Sequence, residues 1–204
     1  IKSGLKVTIN LNGKTITGTD NETKSYGLIN INPGAELTIN DATGNGAIKL
    51  TATNNRGWNA YSSVISNQVG GKLTVNGGTI EHLGGTSMAY AIDNLTNGKG
   101  TYAETVINGG VVKSKYIAIR QFLNGVEAKN ILTVNGGTLE GETASLYFQD
   151  PSKNANTGTL NVLDGTLAGD VYLDVTKGST EWPVEVYIAK AALGEYVIHT
   201  ENIP

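Results

Sequence analysis

The sequence contains no cysteine and only four prolines and two histidines in 204 residues. Without cysteine, neither a disulfide framework nor a thiolate metal site can form. Charged residues are 16% of the chain and the net charge is −3, so the basic patch of a nucleic-acid-binding protein is not expected. No run of about 18 apolar residues occurs, so we expect no insertion into a membrane.

Glycine is abundant instead, with 27 residues, and hydrophobic residues make up 39% of the chain at regular spacings, which excludes simple disorder. The length suits one domain. Because the chain begins at Ile1 without methionine and ends at Pro204, we expect residues 1–204 to be a single domain excised from a longer protein.

One short phrase recurs six times, with starts 27 to 36 residues apart, and most copies end in asparagine. The six copies are residues 7–10, 37–40, 73–76, 105–108, 132–135 and 160–163. From the third copy on, a glycine turn and a second short strand usually follow, as in Gly77-Gly78-Thr79-Ile80. A third strand with period-two alternation lies between copies: 26–31, 63–67, 90–94, 116–121, 145–150 and 171–175. Three short strands per repeat predict a β-solenoid rather than a helical repeat.

If each repeat is one coil, equivalent strands stack in parallel and their inward side chains form columns. Three such columns contain only Ile, Val, Leu or Phe. The first is Ile9, Ile39, Val75, Ile107, Val134 and Val162; the second is Ile16, Ile48, Ile80, Val112, Leu139 and Leu167; the third is Ile29, Ile65, Ile92, Ile119, Phe148 and Leu173. The predicted fold is therefore an all-β, single-stranded parallel β-helix of about six coils, with residues 182–204 as a last coil or an end cap.

The segment from Val7 to Gly18 (VTINLNGKTITG) and the LTVNGGT copies at Leu73 and Leu132 resemble the right-handed parallel β-helices of the pectate-lyase-like superfamily. They are most similar to the repeat modules of extracellular bacterial proteins. The resemblance covers roughly residues 5–188. It implies a right-handed coil and a secreted protein, extracellular or at the cell surface.

Two outward columns are also predicted to stack. One step beyond the second inward column, four successive coils alternate in charge, which indicates a solvated ladder that helps to fix the register. This column is Thr17, Lys49, Glu81, Lys113, Glu140 and Ala168. A second column contains asparagines that can hydrogen-bond along the solenoid: Asn10, Asn40, Asn76, Asn108 and Asn135.

The outward positions of the third strand are the least uniform and form the candidate ligand-binding face. We expect Tyr147 and Tyr172 on adjacent coils to form an aromatic platform beside Arg120 and Gln149, where a sugar ring could stack and its hydroxyls could bond. The tentative glycan face comprises Tyr147, Tyr172, Arg120, Gln149, Asp93 and Asp174. The alternative is that the two tyrosines simply cover the sheet. The insertion 51–60, with Trp58, and the loop 95–103, with Tyr102, are expected to flank this face.

We predict no catalytic residue, metal site or cofactor. Asp93 and Arg120, on adjacent coils, are expected to form an ion pair rather than a catalytic site. Asp174, three coils away from Asp93, is too far to share a calcium ion with it. No stacked pair of carboxylates for glycoside hydrolysis stands out, and His82 and His199 are far apart in the coil scheme.

The resulting functional hypothesis is a non-catalytic, extracellular bacterial stalk or adhesin-like scaffold that binds a polysaccharide or host glycan. Two alternatives remain: a polysaccharide lyase or glycoside hydrolase, and a purely structural virion-fibre or spacer piece. The sequence leaves the oligomeric state open.

Overall fold

The protein is described from a computed structural model, which defines residues 1–52, 60–85, 87–151, 156–174, 184–189 and 192–200. Over these residues all regular structure is β-strand, and no helix is long and apolar enough to cross a bilayer.

Three parallel sheets, each of seven strands, run the length of the molecule. Strands are numbered in chain order. The first sheet contains β1 (Lys6–Asn10), β4 (Glu36–Asn40), β7 (Lys72–Val75), β10 (Tyr102–Ile107), β13 (Lys129–Val134), β16 (Thr157–Val162) and β19 (Val184–Ile188). The second contains β2 (Thr15–Asp20), β5 (Ala47–Ala52), β8 (Thr79–His82), β11 (Val111–Ser114), β14 (Thr138–Gly141), β17 (Gly165–Ala168) and β20 (Ala192–Leu193). The third contains β3 (Tyr26–Ile31), β6 (Ser62–Gln68), β9 (Ala89–Thr96), β12 (Ile117–Leu123), β15 (Ala144–Gln149), β18 (Val171–Asp174) and β21 (Ile198–His199).

Successive strands of the chain visit the three sheets in turn, so each coil contributes one strand to each sheet. The predicted β-solenoid with three short strands per coil is confirmed. Six turns separate β1 from β19 in the first sheet, in agreement with the predicted number of coils. The tail forms a last coil, because β19, β20 and β21 each pair with the strand before them in their own sheet.

Glycine pairs allow the chain to turn closely between the first and second sheets. Gly110 and Gly137 have φ angles of 85° and 89°, in the left-handed region that side chains disfavour. A Cβ added at Gly110 would lie 2.3 Å from the carbonyl oxygen of Gly78 in the preceding coil, and one at Gly137 would lie 2.6 Å from that of Gly110. The repeated Gly-Gly turn is therefore required where coils approach one another most closely.

The first two inward columns are confirmed residue by residue. In the first sheet Ile9 pairs with Ile39, and the register continues through Val75 to Val162. In the second sheet Ile16 pairs with Ile48, and the register continues to Leu167. From the second coil on, these side chains are almost fully buried in one continuous core.

The third inward column was predicted wrongly after Ile119. That residue pairs with Leu146, not Phe148, and Leu146 pairs with Val171, not Leu173. The error is two residues, which keeps side chains on the same face of a strand, so Phe148 and Leu173 are still buried in the core.

Phe148 and Leu173 belong to a second inward column of the third sheet, which is polar in its middle coils. This column is Ile31, Asn67, Asn94, Gln121, Phe148 and Leu173. Asn67 Nδ2 donates across the interior to the carbonyl of Glu104 at 3.0 Å and along the column to Asn94 Oδ1 at 3.0 Å. Thr105 Oγ1 donates to the same Asn94 oxygen at 2.6 Å. This interior amide column was not predicted from the sequence.

Both predicted outward ladders are present. In the asparagine ladder each side-chain amide donates to the oxygen of the asparagine one coil earlier, at 2.7 to 2.9 Å, from Asn40 onto Asn10 through to Asn135 onto Asn108. In the charged column, Lys49 and Glu81 are 2.8 Å apart and Lys113 and Glu140 are 2.6 Å apart. A third ladder, Lys6, Glu36, Lys72 and Glu104, was missed although it lies one residue before the first repeated phrase.

Candidate functional site

The outer face of the third sheet differs from the ladder-bearing faces, because its outward residues change in type and charge from coil to coil and only Tyr147 and Tyr172 repeat. Its central outward column is Asn30, Ser66, Asp93, Arg120, Tyr147, Tyr172 and His199. The strand bends just before this column. Pairing passes from Ile117 to Ile119 without Ala118, and both Ala118 and Ile119 belong to the core. Because two consecutive side chains point inward, Ile117 before the bend and Arg120 after it both lie on the outer surface.

Arg120 and Asp93 form the ion pair expected from the sequence. The guanidinium donates from Nε to Oδ1 and from Nη2 to Oδ2, both at 2.8 Å, a two-pronged geometry that suits arginine and carboxylate. Asp93 is fully buried and Arg120 is 5% exposed. Burial, the largest single influence, lowers the pKa of Arg120, but the charge and hydrogen bonds of Asp93 together with the neighbouring Tyr90 and Tyr61 outweigh it. That pKa is therefore raised above its usual value and the arginine stays charged.

Aromatic rings surround the guanidinium. Its carbon Cζ lies 4.1 Å from the ring centroid of Tyr90, 4.5 Å from that of Phe122 and 5.5 Å from that of Tyr61, distances at which a cation is attracted to a ring face. Burial raises the pKa of the Tyr61 hydroxyl, and the charge of Asp93 adds to this, so the phenol remains protonated at neutral pH.

A pocket of about 290 Å³ opens beside this cluster. Aromatic rings, the guanidinium and side-chain amides line it together, a mixture that offers apolar surface and both hydrogen-bond donors and acceptors. Its polar and aromatic lining is Tyr61, Asn97, Arg120, Phe122, Asn124 and Gln149, with Ser25, Ala60, Met88 and Leu95 completing the wall. Within the pocket, Arg120 Nη1 makes a long contact of 3.4 Å with Gln149 Oε1.

The two tyrosines predicted as a platform are paired in register on adjacent coils, as expected, but their rings are covered. Tyr147 is 5% exposed and Tyr172 is 9% exposed. Both belong to a second apolar cluster, here called the outer cluster: Met88, Tyr90, Ile117, Ala144, Tyr147 and Tyr172. Tyr172 stacks on the imidazole of His199, with centroids 4.3 Å apart and planes 12° apart. Neither tyrosine lines the pocket.

Of the other four predicted site residues, three contact one another. Arg120 is in register with Tyr147, and Gln149 with Phe122, so Gln149 reaches Arg120 diagonally. Asp174 pairs with Gln149 through the backbone, but its side chain lies outside the described residues. The structure thus brings together Asp93, Arg120 and Gln149.

The flanking segments agree with expectation in part. Ala60, Leu95 and Asn97 line the pocket, whereas Tyr102 lies in β10 of the first sheet. Trp58, and residues 53–59 as a whole, lie outside the described residues. Sequence reasoning missed Phe122, although it lies two residues after Arg120 and therefore on the same face. It also missed Tyr90, which the strand bend brings beside Arg120.

A buried polar chain lies elsewhere, where the second sheet leads into the third. Ser62 Oγ donates to Asp20 Oδ2 at 2.6 Å and lies 2.9 Å from His82 Nε2. All three residues are about 1% exposed. These contacts satisfy polar groups in the interior of the solenoid.

The described residues contain no group of three or more His, Cys, Asp or Glu that could hold a metal ion. No protein-family model, curated protein or solved structure matches this chain.

Proposed function

We propose that this β-solenoid is a non-catalytic, extracellular display module, and that the pocket beside Arg120 binds a sugar unit of a polysaccharide or host glycan. One observation carries the proposal: a pocket of about 290 Å³ in which a buried guanidinium lies against the rings of Phe122 and Tyr61, with side-chain amides around it. Aromatic faces accept the apolar face of a sugar ring, and amides accept and donate to its hydroxyls.

Charge in the pocket favours an uncharged sugar. Asp93 neutralises Arg120 through two hydrogen bonds, so the pocket has little excess positive charge to attract a phosphate or sulfate. The second Nη1 hydrogen and the amides of Asn97, Asn124 and Gln149 remain suited to hydroxyl groups.

Binding rather than bond cleavage is proposed because the carboxylate beside Arg120 is fully buried and held by that arginine. Glycoside hydrolysis needs two carboxyl groups that flank the scissile bond. A lyase or hydrolase remains the enzymatic alternative, and release of unsaturated or reducing sugars from a bound polysaccharide would establish it.

The test is a glycan array with the intact chain, followed by titration of any ligand against two pocket variants, Phe122→Ala and Gln149→Ala. Both should weaken binding about tenfold or more, since each removes a contact in a small pocket. Tyr102→Ala is the matched control: this aromatic residue is 44% exposed on a different sheet, and its loss should leave affinity unchanged. Circular dichroism would check that each variant is folded.

An array without any bound glycan would overturn the binding proposal and favour a structural spacer. One observation already favours that second candidate: hydrogen-bonded and charged ladders run along the other two sheets and stiffen the solenoid without requiring a ligand.

A further inference from the structure

The turn between the first and second sheets changes its sequence in the sixth coil. In the three coils before it, a ladder asparagine and two glycines form this turn, as in residues 135–137 (Asn-Gly-Gly). In the sixth coil the same positions, residues 163–165, read Leu-Asp-Gly. The turn keeps a left-handed glycine, since Gly165 has a φ angle of 106° and Gly137 one of 89°. It therefore retains its conformation but carries an exposed carboxylate, that of Asp164.

The carboxylate of Asp164 contacts the backbone nitrogen of the residue that follows it. Gly165 N donates to Asp164 Oδ1 at 2.7 Å, and the contact is exposed to solvent. This contact places the side-chain carboxyl group beside the next amide nitrogen, an arrangement from which that nitrogen can attack Cγ and close a five-membered ring. Because Gly165 has no Cβ, no side chain of its own shields its nitrogen.

The other aspartates differ from Asp164 in sequence and in contacts. Of the seven aspartates in the chain, only Asp164 is followed by glycine. Five others direct their carboxylates to partners two or more residues away; Asp41, for example, accepts from the N–H groups of Gly13 and Gly46 at 2.8 and 2.7 Å. The five are Asp20, Asp41, Asp93, Asp150 and Asp170. Other parts of the chain engage these carboxylates, whereas Asp164 contacts its own successor.

We propose that Asp164-Gly165 is a site of spontaneous covalent modification, at which aspartate converts into isoaspartate. Gly165 N attacks Cγ of the protonated carboxyl group and forms an N–Cγ bond, while the Cγ–OH bond breaks and the hydroxyl leaves as water with the amide proton. The resulting succinimide takes up one water molecule at either of its two carbonyl carbons. Opening at the former peptide carbonyl keeps Cγ in the main chain and gives isoaspartate, whereas opening at Cγ regenerates aspartate.

Isoaspartate lengthens the main chain of this turn by one carbon atom at a place where coils lie close together. A Cβ added at Gly165 would lie 2.6 Å from the carbonyl oxygen of Gly137, and Thr166 N donates to that oxygen at 2.8 Å. The longer turn has to displace the start of β17, so the modification loosens the pairing of β17 with β14. This inference does not depend on the proposed sugar site, which lies on the outer face of the third sheet.

The test incubates the folded 204-residue chain for weeks at mildly acidic pH and locates isoaspartate by peptide mapping with electron-transfer fragmentation. Residue 164 should contain at least about tenfold more isoaspartate than any of the five aspartates with other partners, because only its carboxyl group is placed for ring closure. Isomerisation leaves the peptide mass unchanged, which distinguishes it from deamidation of the Asn-Gly sequences in the chain, since deamidation raises the mass.

Two variants and a peptide separate ring closure in the folded turn from other causes. Asp164→Glu keeps a carboxylate but requires a six-membered ring, so isomerisation at this position should fall about tenfold or more. Asp164→Gly restores the Gly-Gly turn of the preceding coils and is the reference that cannot be modified. A synthetic peptide of residues 160–168 measures the reaction without the fold, and the folded chain should react at least as fast as this peptide.

The structural consequence is measured by hydrogen exchange on the fraction that carries isoaspartate. Protection of the β17 amides should fall about tenfold in this fraction, since a strand that pairs less tightly opens more often. The Asp164→Gly chain, aged in the same way, should keep its β17 protection.

Isoaspartate that is no more abundant at residue 164 than at the other aspartates would overturn the proposal. A reaction that is much slower in the folded chain than in the peptide would overturn it as well, because the fold would then hold Asp164 away from ring closure. Equal modification in the Asp164→Glu variant would show that the product does not arise through a succinimide. Unchanged β17 protection in the isoaspartate fraction would contradict the loosening of β17.

Discussion

The outer faces of the first two sheets and that of the third sheet are built on the same stacking geometry but use it differently. On the first two, one residue type or one alternation of charge is repeated from coil to coil, as in the asparagine ladder and the Lys49–Glu81 and Lys113–Glu140 pairs. On the third, the central column changes from serine to aspartate, arginine and tyrosine in successive coils. On this face the side-chain contacts therefore differ from one coil to the next.

The comparison indicates that the repeated ladders stiffen the solenoid, whereas the varied third face supplies specific contacts. A ladder of identical groups distributes many weak contacts along the rod, each exposed and each replaceable. The third face instead concentrates a buried ion pair, three aromatic rings around it and a pocket within a few coils. Substitutions should therefore be far more costly on the third face than on the ladders.

Asp93→Ala should have the largest effect and should destabilise the protein by about 3–5 kcal/mol, because it leaves Arg120 charged and unpaired in a buried site. The measurement is the free energy of unfolding from denaturant titration. Glu81→Ala is the matched control on the second sheet, where a partly exposed pair is lost and the cost should stay below about 1 kcal/mol. Equal costs for the two variants would contradict the distinction between the faces.

The interior amide column supplies a prediction of opposite sign. The side-chain amide of Gln121 is buried and has no hydrogen-bond partner among the described residues. Gln121→Met keeps the shape and removes an unsatisfied polar group, so it should stabilise the protein by about 1–2 kcal/mol in the same titration. Asn67→Leu is the contrasting variant and should destabilise, since it deprives Asn94, Thr105 and the Glu104 carbonyl of a partner. A destabilised Gln121→Met would show that this amide is satisfied in solution.

The contrast between the faces also explains how far the sequence predicts this structure. From the third coil to the sixth, five residues separate the first inward column from the second, as from Val75 to Ile80, because a short glycine turn joins the strands. From the second column to the third, the separation varies from 17 residues, Ile48 to Ile65, down to 4 residues, Leu167 to Val171. Without a constant turn, only hydrophobicity could fix the third register.

Hydrophobicity could not decide the register because Leu146 and Phe148 both face inward, as do Val171 and Leu173. A shift of two residues preserves the buried face of a strand, so the sequence fits either alignment. The same ambiguity displaced Gln149 from its true neighbour Phe122. The ion pair of Asp93 and Arg120 was predicted correctly because their coils precede the shift. The burial of Tyr147 and Tyr172 follows from packing across coils, which alternation within a strand does not reveal.

The asparagine ladder should show an intermediate cost. Asn76 donates to Asn40 and accepts from Asn108, so Asn76→Ala removes two hydrogen bonds at once. Both hydrogen bonds are exposed, and the free energy of unfolding, measured by denaturant titration, should fall by about 1 kcal/mol. Thr74→Ala, in β7 two residues before Asn76, should cost less because it interrupts no ladder bond. If Asn76→Ala proved neutral, the ladder would set the register without contributing to stability.

The smallest effect is expected at the contact of Asp170 with His199, the last residue of the central outward column of the third sheet. The hydrogen bond from His199 Nε2, at 2.8 Å, and then the backbone N–H of Val197, at 2.9 Å, lower the pKa of Asp170 below its usual value. A carboxyl whose pKa is lower in the folded state stabilises that state above the unfolded pKa of about 4, and the stabilisation is lost as pH falls through the folded value. Because about a third of the Asp170 side chain is exposed, solvent screening should keep this contribution below about 1 kcal/mol.

Hydrogen exchange can detect so small a contribution to stability locally, because β21 is a two-residue edge strand that pairs with β18 and contacts the Asp170 carboxylate. Protection of the backbone amides of β21 should decrease as pH is lowered from about 5 to 3, after correction for the intrinsic exchange rate. Asp170→Asn should show weaker protection at pH 5 and little further change on acidification, while amides in β12 of both proteins should not respond. A response in β12 as large as that in β21 would show that acid acts on the whole solenoid, and that the last coil is not held separately by this contact.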